Sequence, residues 1–125
     1  MIYAASPYTH PSKMIRQNRF EQVQAFCHHQ FTRNRLFVHS PIAQWHPIMD
    51  RLGGKTCAAT FAKYNHDFIK RSTQLFVLCL AEWWQSKGVQ MEIELALDFG
   101  LHIRCYDYAN YDMFVSLGYA SENWK

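Results

Sequence analysis

The sequence predicts an α/β domain, and three observations predict it. A short apolar stretch, Ile2–Ala5, opens the chain and stops at the turn-rich Ser6–Pro11. A continuous apolar run, "LFVLCL" at 75–80, has the composition of a central strand buried on both faces. Between and after these lie segments whose apolar residues recur at helical spacing. Strands that alternate with helices pair in parallel, because the return connection needs a helix's length.

Each element has a local reason. Ser12 caps a helix that runs to about Arg33, since its hydroxyl accepts an orphan backbone N–H. Ile15, Phe20, Val23, Phe26, Cys27 and Phe31 give that helix its period. Leu36–His39 is a second strand. Pro41 and Pro47 break regular pairing in "SPIAQWHPIMD", which reads as a long loop or a short irregular helix. "RLGGKT" at 51–56 is a turn and lacks the glycine spacing of a phosphate-binding P-loop. A helix follows from about Thr56 to Arg71. After the 75–80 strand, "AEWWQSKG" is a loop and "VQMEIELALDFG" a helix closed by Gly100. "LHIRCYD" is another strand. The tail from Tyr108 to Lys125 reads as an edge strand or as a cover for a neighbouring subunit. The sum is one domain over residues 1–125: a three-layer sandwich, flavodoxin- or Rossmann-like, with a parallel sheet of about four to five strands.

The bulk numbers narrow the function classes. At 125 residues the chain buries one core and has no room for a second. With 49% apolar and 18% charged residues it is not a disordered chain. A net charge of +3 without a Lys/Arg block favours a small anionic ligand over a nucleic-acid polymer. The four cysteines lie far apart and read as reduced thiols of a cytoplasmic protein. No signal peptide is expected, and no apolar run approaches a membrane span, so no membrane partner is expected either. Zinc spacing is missing around Cys27, His28 and His29, so no metal and no cofactor are expected.

In parallel α/β sheets, ligands bind beyond the carboxyl ends of the strands. Three segments share that end: Ser6–Pro11, Ser40–Asp50 and Ala81–Gly88. The third is the most informative. Ser86 and Gly88 stand where a helix begins, and a helix N-terminus offers free N–H groups to an anion. Glu92 and Glu94 follow, two residues apart, so they point to different faces. On pattern alone, both read most simply as solvated residues favoured by the helix dipole. His46 fits a packed histidine as well as a pocket residue, and His10 a proton carrier or a loop residue. Arg16 and Arg19 fit a phosphate contact or a solvated helix face.

"YAASPYTHP", "HSPIAQWHPI" and "WWQSKGVQMEIELA" together resemble a family of phage and bacterial proteins, DUF1937. The resemblance spans roughly residues 2–106. That family is in turn similar to the nucleoside 2-deoxyribosyltransferase and deoxynucleotide N-hydrolase superfamily. There, Ser-x-Gly-Val-x-x-Glu opens a helix and carries the catalytic glutamate. Here the stretch reads Ser86-Lys87-Gly88-Val89-Gln90-Met91-Glu92. The resemblance implies that Glu92 is a nucleophile that attacks the anomeric carbon of a 2-deoxyribosyl group. It implies a 5′-phosphate site at Ser86 and Gly88, and a sugar-side loop at Ser6, with Tyr8 holding the glutamate or the sugar ring. It points to His46, with Ser40 and Trp45, as lining of the base pocket. It implies a small-molecule deoxynucleotide or deoxynucleoside partner and a homo-oligomer. Three positions depart from the pattern: Asn65 and Thr73 stand where related chains carry aspartates, and Glu82 stands where glycine is common. A catalytically inactive nucleotide-binding or sequestering module is the alternative that these departures suggest.

Overall fold

A computed structural model describes residues 1–52 and 58–117. The elements are β1 (Ile2–Ala5), α1 (Lys13–Asn34), β2 (Val38–His39), α2 (Pro41–Arg51), α3 (Ala58–Lys70), β3 (Gln74–Cys79), α4 (Lys87–Asp98), β4 (His102–Asp107) and β5 (Met113–Leu117). A short helical turn, Trp83–Gln85, precedes α4. The strand order is β2-β1-β3-β4-β5.

The first four strands are parallel, and β5 runs antiparallel to β4. The sheet is therefore mixed, which corrects the expectation of a purely parallel one. The reason is length: only five residues separate β4 from β5, too few for the crossover that a parallel return requires. The tail thus supplies an edge strand. Residues 118–125, and the turn expected at "RLGGKT" with Cys57, lie outside the described residues.

Strand alternation divides the core. Tyr3, Ala5, Leu75, Val77, Ile103 and Cys105 face one side and pack with Ile69 of α3 and Val89, Ile93 and Ala96 of α4. Ile2, Ala4, Phe76, Leu78 and Tyr106 face the other side and meet Val23 and Phe26 of α1. Helices thus cover both faces. The buried stripe of α1 is Val23, Phe26 and Gln30; Ile15 and Phe31, expected on that stripe, are largely exposed.

Serine opens three of the helices. The hydroxyls of Ser12, Ser40 and Ser86 accept the backbone N–H of Ile15 (3.3 Å), Ala43 (3.0 Å) and Val89 (3.3 Å). Such a cap contributes about 1 kcal/mol. The second of them turns the 40–50 segment into a regular helix, where a loop or irregular helix was expected. Pro41 stands in its first turn, where no N–H is needed. Pro47 lies inside α2 and only removes the bond that its N–H would make to the carbonyl four residues back. At the end of α4, Gly100 takes φ +72°. Its N–H reaches the Leu97 carbonyl, and the Leu101 N–H reaches that of Ala96, which closes the helix as expected.

Among the described residues, no helix is long and apolar enough to cross a membrane. Cys27, Cys79 and Cys105 are free thiols.

Candidate functional site

The strand order has one reversal, between β1 and β3, because the chain moves outward from β1 to β2 and then returns past β1 to β3. Sheets of this kind open a crevice at the carboxyl ends of those two strands. A cavity of about 440 Å³ lies there. The loop after β1 lines it with Ser6, Tyr8 and Thr9, α2 with Pro41, Ile42 and Met49, and α3 with Phe61 and Asn65. The start of α4 adds Gln85, Ser86, Lys87 and Gly88, and Glu92 stands one turn further on.

Among the described residues, Glu92 is the only carboxylate in that lining. It is half-buried, and burial pushes its pKa up to about 8, against an ordinary value of 4.5. One contact works in the opposite direction: Tyr3 Oη donates a hydrogen bond to Glu92 Oε2. Tyr3 is fully buried among β1, His39 and Phe68. Burial first, and the nearby Glu92 charge second, raise its pKa far above the phenol range, so Tyr3 remains a donor. Glu94 is exposed and lies on a different groove, as two-residue spacing on a helix requires.

The start of α4 carries several groups of the kind that can meet an anion. Ser86 accepts the Val89 N–H, so its own hydroxyl proton is free to be donated. Lys87 opens the helix beside it. A Cβ added at Gly88 would meet only Ser86 Oγ, at 3.8 Å, so space alone does not demand glycine there. Ser6 is 3% exposed, and its Oγ has no hydrogen-bond partner among the described residues. Asn65 Oδ1 is likewise buried without one. Buried polar atoms are nearly always paired, and these two unpaired oxygens, among the described residues, both lie on the cavity wall.

The cavity thus gathers Ser6, Tyr8, Ser86, Gly88 and Glu92 of the residues the sequence singles out. His46 and Arg19 are not in its lining. His46 is 4% exposed and stands behind Tyr8: its Nδ1 meets the Tyr8 hydroxyl at 2.6 Å, and its Nε2 meets Gln17 Oε1 at 2.8 Å. Phe20 stacks on the ring at 4.4 Å. Arg19 donates to the Thr9 carbonyl at 3.1 Å and so braces the loop after β1. Arg16 donates to the His10 carbonyl at 2.6 Å and pairs with Asp50 at 3.5 Å. Ser40 is spent on its cap, and Trp45 packs against Phe61 and Tyr64. Burial, with the Asp50 charge second, raises the Tyr8 pKa, and Arg16 opposes the shift.

The departures from the family pattern acquire places too. Asn65 lines the cavity, whereas Thr73 bonds the Met1 carbonyl through both its N–H and its hydroxyl, at the opposite end of the sheet. Glu82 takes φ +63°, a left-handed conformation that glycine adopts without strain.

A family model described as a domain of unknown function, DUF1937, matches residues 1–108. The chain belongs to the DUF1937 family. The matched span takes in β1 to β4 and every residue in the cavity lining. No curated protein matches this DUF1937 chain.

Sequence reading missed Tyr3 and Lys87. Tyr3 looked like an ordinary strand residue, while Tyr8 was given the glutamate or the sugar ring to hold. A signal was available: in "IYAA" Tyr3 is the only side chain with a polar atom, inside a strand expected to be buried. Lys87 sits between the two residues already singled out.

Proposed function

We propose that this protein cleaves the N-glycosidic bond of a 2-deoxynucleoside 5′-monophosphate, by hydrolysis or by deoxyribosyl transfer, with Glu92 as nucleophile. The observation that carries the reading is the pairing of Glu92, held by Tyr3, with the anion-binding start of its own helix on one cavity. The cavity volume lies within the roughly 300–1,000 Å³ of small-molecule sites. The flavodoxin-like strand order also supports a nucleotide at this crevice.

In this reading the phosphate lies at Ser86, Lys87 and Gly88, where a free hydroxyl proton, a cation and unpaired N–H groups converge. The ionised Glu92 attacks the anomeric carbon. The carbon–nitrogen bond breaks, its electron pair leaves with the base, and the base takes a proton from water. Water, or a second base, then attacks the same carbon and releases the carboxylate. Tyr3 steers one carboxylate oxygen and leaves the other for attack. Ser6 and Tyr8 face the sugar and the base.

A second reading is a nucleotide-binding or sequestering module without turnover. The raised Glu92 pKa favours it: burial disfavours the ionised form that attack requires.

Incubation of wild type and Glu92→Gln with a panel of deoxynucleoside monophosphates, with chromatography of the free base, tests both. Base release by wild type, lost about a thousandfold or more in the variant, supports the enzyme. Binding by calorimetry without base release overturns it and supports the module. Neither binding nor release overturns both.

A further inference from the structure

We infer that a hydrogen-bond chain, Glu21–Gln17–His46–Tyr8, fixes Tyr8 as an acceptor toward the cavity, and that the site thereby selects a base bearing an exocyclic amino group. The second half rests on the nucleotide reading of the cavity.

The chain has a direction set by its first member. Gln17 and Glu21 are one turn apart on α1, and Gln17 Nε2 donates to Glu21 Oε1 at 3.1 Å. A carboxylate only accepts, so this contact commits the amide nitrogen and turns Gln17 Oε1 toward His46. That oxygen also only accepts, and it lies 2.8 Å from His46 Nε2, so Nε2 carries the ring proton. A neutral imidazole has one N–H, which leaves Nδ1 with a lone pair. The Tyr8 hydroxyl, 2.6 Å away, gives its single proton to that lone pair. The phenol then has only lone pairs left to offer a ligand.

His46 is well placed to hold this state. It is buried and stacked on Phe20, with the ring planes 20° apart, and edge-on to Tyr8. The same helix, α2, supplies Pro41, Ile42 and Met49 to the cavity, so Tyr8 is tethered to the element that forms its apolar wall. Asn65 Oδ1, a second acceptor, is buried on the same cavity without a partner among the described residues. An apolar wall carrying two acceptors complements a flat base whose edge donates N–H. Adenine and cytosine present an amino group there. Hypoxanthine and uracil replace it with a carbonyl, whose lone pairs would oppose those of Tyr8.

Two measurements test the inference. The first is a long-range proton–nitrogen spectrum of ligand-free protein labelled with nitrogen-15 histidine, at about pH 8, where an ordinary imidazole is neutral. The expected result is His46 protonated on Nε2 alone; protonation on Nδ1 overturns the chain. The second is calorimetric binding of dAMP against dIMP, and of dCMP against dUMP. Wild type is expected to prefer the amino-bearing member of at least one pair by about tenfold. Tyr8→Phe loses the preference. Gln17→Glu, still an acceptor, keeps it. Gln17→Lys, which can only donate to Nε2, abolishes it and moves the His46 proton to Nδ1. Equal affinities within both pairs overturn the selection. Failure of wild type to bind any of the four overturns the nucleotide reading instead, and the histidine spectrum then decides the chain by itself.

Discussion

Tyr3, in the first strand, donates a hydrogen bond to Glu92, 89 positions later in the chain. The bond exists because β1 and β3 are neighbours in register, Tyr3 against Leu75, and α4 packs on the face toward which Tyr3 points. Among the described residues, it is the one side-chain hydrogen bond between the N-terminal strand and the helix that carries the cavity's carboxylate.

Removal of that link has a signed effect. The Tyr3 hydroxyl favours the ionised carboxyl, so Tyr3→Phe raises the Glu92 pKa above its value of about 8. Carbon-13 titration of glutamate-labelled protein is expected to show the midpoint move up. If the protein turns over nucleotide, kcat/KM at neutral pH falls, and its rising pH limb shifts the same way. An unchanged midpoint would mean that the hydroxyl does not hold the carboxyl.

Glu92 also ties stability to pH. Its folded pKa, about 8, lies above the ordinary 4.5, so between those values the folded chain holds a proton that the unfolded chain has lost. The stability from this group is complete below about pH 4.5, declines as pH rises toward 8, and is level above. Glu92→Gln abolishes that decline. Thermal unfolding at pH 5 and pH 9 is expected to show a smaller loss of Tm for the variant, with the variant above wild type by roughly 3–8 °C at the higher pH. Equal losses would place the carboxyl in a more solvated setting.

Ser6 separates binding from stability. Its buried hydroxyl has no partner among the described residues, so Ser6→Ala removes a desolvated group without breaking a bond. The expected change in ligand-free stability is zero or a gain of about 0.5–1 kcal/mol. The same variant is expected to bind a deoxynucleoside monophosphate about five- to tenfold more weakly. A loss of stability with unchanged affinity would make Ser6 a structural residue.

Glu82 tests the backbone alone. It is exposed, absent from the cavity lining, and held at φ +63°. Glu82→Gly is expected to raise stability by about 0.5–1 kcal/mol in urea unfolding, since relief of left-handed strain exceeds the added freedom of the unfolded chain. Nucleotide binding should not change.

Much of the local structure was legible in the residues. Ser12 and Ser86 announced their helices because a capping hydroxyl acts within three residues of itself. Gly100 announced a helix end for the same kind of reason, a single left-handed residue. "LFVLCL" announced a central strand, since only a strand paired on both sides stays apolar throughout. The 40–50 segment reads locally as a long loop or a short irregular helix, because two prolines weigh against a regular one, and the structure has the helix. Packing of α2 against α1 and the β1 loop outweighed the single hydrogen bond that Pro47 forgoes.

The sequence by itself determined the alternation of strands and helices, the capped start of α4, and the placement of Ser86, Gly88 and Glu92 along one stretch of chain. These are properties of neighbours, fixed by spacing along a helix. The tertiary structure alone decided that Tyr3 holds Glu92, that His46 stands behind Tyr8, and that β5 turns back antiparallel. Those relationships join residues tens of positions apart. Their geometry depends on strand order and helix packing, which short-range residue preferences do not encode.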